Sequence, residues 1–540
     1  MDFAVVQDPK LYLLLAAAGS LVSTSHLARH RVPTPLVERA GHQPEISRQL
    51  EVGDLQKKWI AEYGLVWRMK GTMSENSLEI ADPKALQYIF HKSGYHFPKT
   101  ATSRQFSREI TGPGILFAQD KDHTRIRKIM NPAFTAAQLK SFLPLFLSST
   151  QKLGQKWKEI LQNADERGER INVTSWLARC TLDVIGEVGF DVQCGALDDS
   201  LNPVMEAFNN MFADAIPNPS KFTIFFRSTW HLIPMSILKY VKYWPTKDHR
   251  RFRKTLDVIN AFAKELITEK TAHAQTGKDN KKDIMSLLVR ANASEDPRSR
   301  LTEDEMISQV ATFLLAGHET TASSMTWILW ELAKHPEYQS KIRAEVRAVR
   351  ARVTGRGDSE YSVADLDTMT YTLAAMKEIL RLHPIVYALV RYASRDDVLP
   401  LARPLTLVDG TVVTELPVPK GTDIQISIWA YNRLPEIWGP DAEEFNPHRF
   451  IDQEKKMGST YVGVTSNLMT FSAGLQACLG WRFSIIEMQA ILVELIEHFE
   501  FAIPDDKPEI LRYPAGLVAP LVKSDMAAGP QMPLRVSLAQ

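Results

Sequence analysis

One segment of this chain is patterned as a helix long enough to cross a whole domain. Thr302 followed by Glu305 is a capping-box signature, and the largely apolar run that follows continues to Lys334, directly before His335 and Pro336. At a rise of 1.5 Å per residue, such a helix would extend about 50 Å. A chain with this helix is expected to form a large, mostly helical domain around it.

The rest of the sequence predicts a mainly α fold with a minor β portion. Other amphipathic helical patterns cover residues 143–165, 175–189 and 253–274, whereas β-branched or apolar pieces are short, as at 78–80 and 412–413. No linker rich in Pro, Gly or Ser and no break in composition divides the chain. We therefore expect one large domain over residues 33–540.

The charge composition excludes a chain-wide surface for nucleic acid. Lysine and arginine total 64 against 63 aspartate and glutamate, which gives a formal net charge of +1. This balance produces no global basic field of the kind that attracts nucleic acid. Electrostatic attraction of a partner must come from local clusters of charge.

The N-terminus carries an apolar run, Leu11 to Val22, that precedes the basic Arg29 and Arg31. The run is short for a membrane-spanning helix, which needs about 20 apolar residues. Basic residues after the run favour a retained membrane anchor, residues 1–32, with the following domain on the cytosolic side. A cleaved signal peptide and a helix lying in the membrane interface are the alternatives.

The middle of the long helical pattern contains A-G-H-E-T-T, from Ala316 to Thr321. Gly317 inside a helix costs about 1 kcal/mol, and a glutamate and a threonine in an apolar stretch need partners or water. One interpretation is a tolerated polar notch in a core helix. The other is a groove that opens over a bound cofactor.

Cys478 lies in the loop F-S-A-G-L-Q-A-C-L-G, just before another helical stretch. With Cys180 and Cys194 as the other cysteines, the chain has too few for a disulfide framework or a four-cysteine zinc site. Gly474 and Gly480 allow the backbone to turn closely around the sulfur, and a helix start favours the thiolate. Cys478 is either a metal-binding thiolate or a buried structural cysteine.

The pattern F-x-x-G-x-x-x-C-x-G resembles the haem-binding loop of the cytochrome P450 superfamily. The resemblance implies haem b with Cys478 as the axial iron ligand, and with Phe471, Gly474 and Gly480 shaping the loop. Gln476 departs from the family pattern, which usually has a basic residue there to pair with a haem propionate. Because glutamine can hydrogen-bond to a carboxylate but not neutralise it, we expect other basic residues to meet the remaining charge.

Two further motifs resemble the family's ExxR and PERF sequences. Glu378 and Arg381 lie in K-E-I-L-R-L-H-P, and Arg449 lies in F-N-P-H-R-F, where His448 replaces the usual acid. On spacing alone, such an i, i+3 pair is also common on solvated helix faces. The resemblance implies instead that Glu378, Arg381 and Arg449 interlock and fix the cysteine loop.

His123 and Arg127 have the spacing of the family's propionate-binding W-x-x-x-R, with histidine in place of tryptophan. On spacing alone they indicate a solvated basic helix. The resemblance implies a propionate clamp, which Arg391 completes. Three more cations would form a local positive face for an acidic electron-donor protein: Arg125, Lys128 and Arg482.

The resemblance also implies an activity. Glu319 and Thr320 would deliver protons during dioxygen reduction, and Ala316 and Gly317 would leave room for the oxygen. One oxygen atom would then be inserted into a substrate by hydroxylation or epoxidation. No G-x-G-x-x-G fingerprint is present, so electrons should come from a separate NADPH-dependent cytochrome P450 reductase, with cytochrome b5 as a further donor.

Substrate and location are predicted only by class. The resemblance implies an endoplasmic reticulum membrane protein whose catalytic domain faces the cytosol. The aromatic and aliphatic segment 208–235 would cap the pocket and touch the membrane. Other expected lining residues are Phe313, Ile385, Val386, Leu389 and Leu517. All are apolar, which favours a lipophilic substrate such as a terpenoid, fatty acid, sterol or xenobiotic.

Two alternative functions stay open at this point. One is a haem-thiolate isomerase or dehydratase that works without dioxygen, against which the Glu319-Thr320 pair argues. The other is a non-catalytic haem or lipid carrier at the membrane.

Overall fold

The computed structural model describes most of the chain: residues 42–71, 76–165, 167–198, 226–227, 229–244, 246–275, 281–407, 409–451 and 460–540. The predicted anchor, residues 1–32, lies outside the described residues, as does the part of the predicted capping segment from 208 to 225.

Helices make up most of the described structure. In chain order they are α1 Gln43–Arg48, α2 Asp54–Tyr63, α3 Pro83–Gln87, α4 Ala101–Thr111, α5 Asp120–Met130, α6 Ala136–Leu161, α7 Val173–Phe190, α8 Met235–Leu238, α9 Lys247–Gln275, α10 Ile284–Ser294, α11 Glu303–Lys334, α12 Pro336–Gly355, α13 Val363–Asp367, α14 Thr370–Leu382, α15 Ile428–Tyr431, α16 Pro435–Trp438 and α17 Trp481–His498.

The strands of the described residues are short and fall into four small sheets. They are β1 Val66–Lys70, β2 Asn76–Ile80, β3 Glu169–Asn172, β4 Ala388–Tyr392, β5 Asp397–Thr406, β6 Val412–Val418, β7 Asp423–Ser427, β8 Phe499–Ala502, β9 Ile510–Pro514, β10 Val518–Val522 and β11 Pro533–Leu538. One sheet has the order β1-β2-β7-β4, in which only the β2–β7 pair is parallel. The other sheets are β3-β11-β8 and the antiparallel pairs β5–β6 and β9–β10.

The predicted long helix is present as α11. The Thr302 hydroxyl accepts the Glu305 N–H at 3.2 Å, and the Glu305 carboxylate accepts the Thr302 N–H at 2.8 Å, which completes the capping box. Acidic residues in the first turn and Lys334 in the last complement the helix dipole. α11 packs along α7 and against α9, α14 and α17, so it forms the axis of the helical part.

Two apolar clusters meet at the loop that contains Cys478. The larger cluster is built on the long helices and includes Phe483, whose ring packs 5.0 Å from that of Phe146. The smaller cluster lies on the β1-β2-β7-β4 sheet and includes Ala473 of the loop itself. Burying a side chain such as Phe483 stabilises the fold by about 1.5–3 kcal/mol. The cysteine loop is therefore fixed from both sides.

The mainly α fold with a minor β portion is confirmed. Within the described ranges, no helix is both long enough and apolar enough to cross a membrane.

Candidate active site

The loop from Phe471 to Gly480 presents Cys478 at its end. The Cys478 N–H donates to the Phe471 carbonyl at 2.9 Å, which closes the loop, and α17 begins directly after Gly480. Gly474 has φ +64°, and a Cβ at this position would lie 1.9 Å from the carbonyl oxygen of Phe90. Any residue other than glycine would therefore push the loop away from its neighbour.

Cys478 is the accessible cysteine of the three. Cys180 and Cys194 are buried, whereas the Cys478 side chain is exposed. Surrounding protein atoms still raise the pKa of the Cys478 thiol, and the Gly480 N–H and the positive charge of Arg127 act in the opposite direction. An accessible sulfur with an N–H and a guanidinium beside it can serve as a thiolate ligand to a metal.

A cluster of cations lies beside the loop. Arg127 donates to the Ala477 carbonyl at 2.7 Å, and the neighbouring His123 ring is hydrogen-bonded to Tyr95 at 2.8 Å. Burial lowers the pKa of His123 to about 4, and the charges of Lys99, Arg127 and Arg391 add to this shift. His123 is therefore a neutral hydrogen-bonding group at neutral pH, while the positive charge comes from its neighbours.

Lys99 and Arg391 form the rest of this cluster. They face each other across an isolated β-bridge. Burial, followed by the charges of Arg391 and Arg104, lowers the pKa of Lys99 to about 7, and burial lowers the pKa of Arg391 to about 10. None of the interactions found for Lys99, His123 or Arg391 among the described residues involves a carboxylate. The cluster is thus suited to binding carboxylate groups from outside the protein.

Sequence reasoning missed Lys99 because it belongs to none of the motifs considered. Its ammonium donates to the carbonyls of Ile115, Leu116 and Ala118 at 2.7–3.2 Å. These bonds hold the segment before α5 against the extended segment before α4, to which Lys99 belongs. The only sequence signal was a lysine beside the apolar Phe97 and Pro98. A charged side chain in such surroundings needs buried partners.

Glu378, Arg381 and Arg449 come together in a buried ionic group. Arg381 meets both carboxylate oxygens of Glu378 at 2.8 Å, and the side chains of both residues are fully buried. The Nε of Arg449 lies 3.0–3.1 Å from the same two oxygens. His448 is exposed, and its N–H donates to the Asn446 side chain, so the histidine that replaces the usual acid lies outside this group.

The ionic group connects to the cysteine loop through Asn432. Arg381 donates to the Asn432 carbonyl at 2.8 Å, and the Asn432 side chain bonds to the backbone N–H of Met469 and to the hydroxyl of Thr470. The backbone carbonyl of Phe471, the next residue, accepts the Cys478 N–H. The buried arginine therefore supports the loop through a short chain of hydrogen bonds.

The middle turn of α11 is more open than the buried turns on either side of it. Ala316 is exposed, Glu319 and Thr320 are half-buried, and the Thr320 hydroxyl donates to the Ala316 carbonyl at 2.6 Å. A Cβ at Gly317 would lie 2.8 Å from Ile185 of α7. Gly317 therefore allows close packing of α7 and α11. That Ala316 and Gly317 also leave room for oxygen stays a prediction.

The predicted positive docking face is only partly available. Arg125 is bound to Glu305, and Lys128 is paired with Glu295 at 2.8 Å. Arg482 is exposed, with its guanidinium 5.5 Å from the Trp481 ring. Two of the three predicted cations therefore already have acidic partners.

The residues present fit a haem. The group that the loop motif implies needs an accessible thiolate and cationic or hydrogen-bonding partners for two carboxylates. Cys478 stands beside a cluster of cations for which the described residues supply no carboxylate. Cys478 would hold the iron, and His123, Arg127 and Arg391 would hold the propionates. Fold and site together define a haem-thiolate protein.

Comparison with known proteins gives the same answer. The sequence profile described as Cytochrome P450 matches residues 32–524. Cytochrome P450 monooxygenase 205 of Postia placenta is 35% identical over 494 residues, which cover 89% of this chain and 88% of the relative. Cytochrome P450 monooxygenase claU of Ampulloclitocybe clavipes is 31% identical over 489 residues, covering 89% and 87%. The chain belongs to the cytochrome P450 family.

Membership sets the class and the cofactor. The protein is an oxidoreductase of the monooxygenase class with a haem whose iron has a cysteine ligand. Bound haem supplies dioxygen reduction with thiolate support. The assignments of Glu319 and Thr320 as proton-delivering residues, and of the remaining residues to the propionates, stay predictions.

Proposed function

We propose that this monooxygenase inserts one oxygen atom of dioxygen into a lipophilic organic substrate, by hydroxylation or epoxidation. The observation that carries the proposal is the open turn at Ala316 and Thr320 in the middle of a buried, largely apolar helix. Electrons come from a separate NADPH-dependent reductase, because the chain carries no dinucleotide fingerprint.

Apolar residues on α11 and in two segments that lie side by side support a lipophilic substrate. Phe313 lies one turn before Ala316, and its ring packs 6.1 Å from that of Phe134. The Val518 N–H donates to the Ile385 carbonyl at 2.9 Å, which brings the segment that contains Leu517 beside the one that begins at Ile385. These surfaces can bind an apolar molecule, but they offer few polar groups to select one.

The Glu319-Thr320 pair favours oxygen insertion over the isomerase or dehydratase alternative. A reaction that only rearranges its substrate needs no protons for dioxygen reduction. Glu319 is partly exposed and Thr320 lies next to it on the open turn, so both can exchange protons with water or substrate. A non-catalytic carrier would need neither group.

Turnover with a reductase tests the proposal. The purified holoprotein would be mixed with an NADPH-dependent cytochrome P450 reductase and a panel of terpenoids, fatty acids and sterols under isotopically labelled dioxygen. We expect substrate-dependent NADPH oxidation and a product that carries one labelled oxygen atom. Product formation without dioxygen or NADPH would establish the isomerase or dehydratase alternative, and haem binding without any product across the panel would favour the carrier.

Replacing Thr320 with alanine should separate NADPH use from product formation. Without the hydroxyl, proton delivery is impaired and reduced oxygen escapes as peroxide. We expect the product formed per NADPH to fall about tenfold or more, within the range of general acid–base effects. Peroxide and product would be measured together in the reductase assay.

Thr326→Ala is the matched control on the same helix. Thr326 makes the equivalent bond to the Ala322 carbonyl at 2.9 Å, but it is fully buried. Its removal should leave coupling unchanged. Equal coupling in wild type and Thr320→Ala would remove the proton-delivery assignment.

We further propose that the protein resides on the endoplasmic reticulum membrane with its catalytic domain facing the cytosol, where cytochrome b5 is a second electron donor. Support comes from the 232–243 patch, four large apolar or aromatic side chains that are each 57–60% exposed: Leu232, Ile237, Tyr240 and Tyr243. Lys239 and Lys242 lie 5.0 and 5.1 Å from the rings of Tyr240 and Tyr243. Tyrosine with lysine is typical of membrane interfaces.

A vesicle-binding experiment tests the 232–243 patch without the predicted anchor. A chain without residues 1–32 should still sediment with phospholipid vesicles, and Leu232→Asp combined with Ile237→Asp should weaken this binding about tenfold or more. Val412→Asp should have no effect, because Val412 lies outside the patch, on β6, and is exposed to a similar extent, 62%. Equal sedimentation of all three proteins would exclude the patch as a membrane contact.

A further inference from the structure

An amide pair stands where the family pattern has a basic residue. Gln476, two residues before Cys478, donates its Nε2 to the Oε1 of Gln119 at 3.2 Å. The same Gln119 oxygen accepts the backbone N–H of Lys99 at 3.3 Å. Gln119 is therefore held both by the cysteine loop and by the segment that precedes α4.

These two donors determine how the Gln119 amide is oriented. A backbone N–H can only donate, so the Gln119 atom that faces Lys99 must be the carbonyl oxygen. The Nε2 group points elsewhere, where it is buried and has no acceptor among the described residues. Gln119 is only 8% exposed. A buried donor of this kind requires an acceptor that the described part of the chain does not supply.

The surroundings favour an anionic acceptor. Lys99 belongs to both the amide pair and the cationic cluster, and Arg391 faces it across the β-bridge. Arg391 and Gln476 also line one open cleft, with Tyr95 and Phe97. A carboxylate would accept from the free amide group and reduce the repulsion among the cations.

We infer that Gln119, oriented by Gln476, donates its Nε2–H to a haem propionate, and that Lys99 supplies the positive charge missing at position 476. Gln119 and Lys99, which lie outside every family motif, together take the role that one basic residue usually has at position 476. Gln119 provides the hydrogen bond and Lys99 the charge, and Gln476 positions Gln119.

Gln119→Glu separates this role from a purely structural one. Glutamate keeps an oxygen for the Lys99 N–H and for Gln476, so the hydrogen bonds that hold the segment survive. It also replaces the donor with a negative charge beside the propionate. We expect haem transfer from the holoprotein to apomyoglobin to become about tenfold or more faster, and the haem reduction potential to become more negative.

Two glutamine variants complete the comparison. Gln119→Leu removes the hydrogen bond without adding charge, so haem loss should accelerate about tenfold with a smaller change in potential. Gln155→Leu, at an exposed position on α6, should lose haem at the wild-type rate. Wild-type haem loss and potential in Gln119→Glu would overturn the inference, and would leave the monooxygenase function untouched. If Gln119→Leu fails to fold, Gln119→Glu alone decides.

Lys99 is tested by changing its charge and its shape separately. Lys99→Arg keeps the charge and should retain haem at close to the wild-type rate. Lys99→Met removes the charge and should accelerate haem loss, and adding Gln476→Arg should restore retention because it returns the cation to its usual place. Failure of Gln476→Arg to rescue a folded Lys99→Met protein would contradict the assigned charge replacement.

Discussion

Replacing Arg381 with alanine is expected to prevent the protein from accumulating with haem. The change removes one partner of a fully buried pair and leaves the Glu378 carboxylate with Arg449 as its remaining ionic partner and the Asn446 N–H as a further donor. It also removes donors to the carbonyls of Asn432 and Ala442. Breaking a buried ion pair costs about 3–5 kcal/mol, a large part of a total stability of about 5–15 kcal/mol.

The measurement is haem content per molecule of purified protein, together with soluble yield. Arg356→Ala is the matched control, because Arg356 also forms ion pairs, with Asp358 and Asp365, but does so at the surface. It should give normal holoprotein. Arg381→Lys keeps the charge but not the planar fork that binds both Glu378 oxygens, so an intermediate yield is expected. A normal haem content in Arg381→Ala would contradict the structural role of the pair.

Local patterns made much of the fold predictable. The α11 helix was readable because its start depends on two residues three apart, Thr302 and Glu305, and its core face on a repeated apolar spacing. The Glu378 and Arg381 pair was equally local, since one turn of α14 places both side chains together. In such cases the spacing in the sequence determines which side chains lie together.

Contacts between distant segments were not predictable from the sequence alone. Arg125 and Glu305 are 180 residues apart, and nothing in either segment indicates that the fold neutralises one with the other. Gln476 and Gln119 are separated by 357 residues. The sequence therefore predicted that other residues compensate for the missing basic residue, but not that Gln119 is the partner of Gln476. The close packing of Gly317 against Ile185 of α7 likewise joins distant segments, and the glycine alone did not indicate it.

The second large effect concerns the thiolate itself. On reduction and exposure to carbon monoxide, the holoprotein should give a strongly red-shifted Soret band, because a thiolate ligand donates more electron density to the haem iron than a neutral ligand does. Cys478→Ser should abolish this band. A serine hydroxyl fills nearly the same space but is not ionised at neutral pH, so it is a poor replacement for the thiolate.

Cys194→Ala provides the control, since Cys194 is buried and the pKa of its thiol is raised to about 12 by burial and by Asp183. This variant should keep the red-shifted band. A wild-type band at the position typical of histidine-bound haem, or a red-shifted band that survives in Cys478→Ser, would mean that another residue holds the iron. Because α17 begins three residues beyond Cys478 and Phe483 anchors it in the core, the fold holds the Cys478 sulfur in a defined position at this end of the loop.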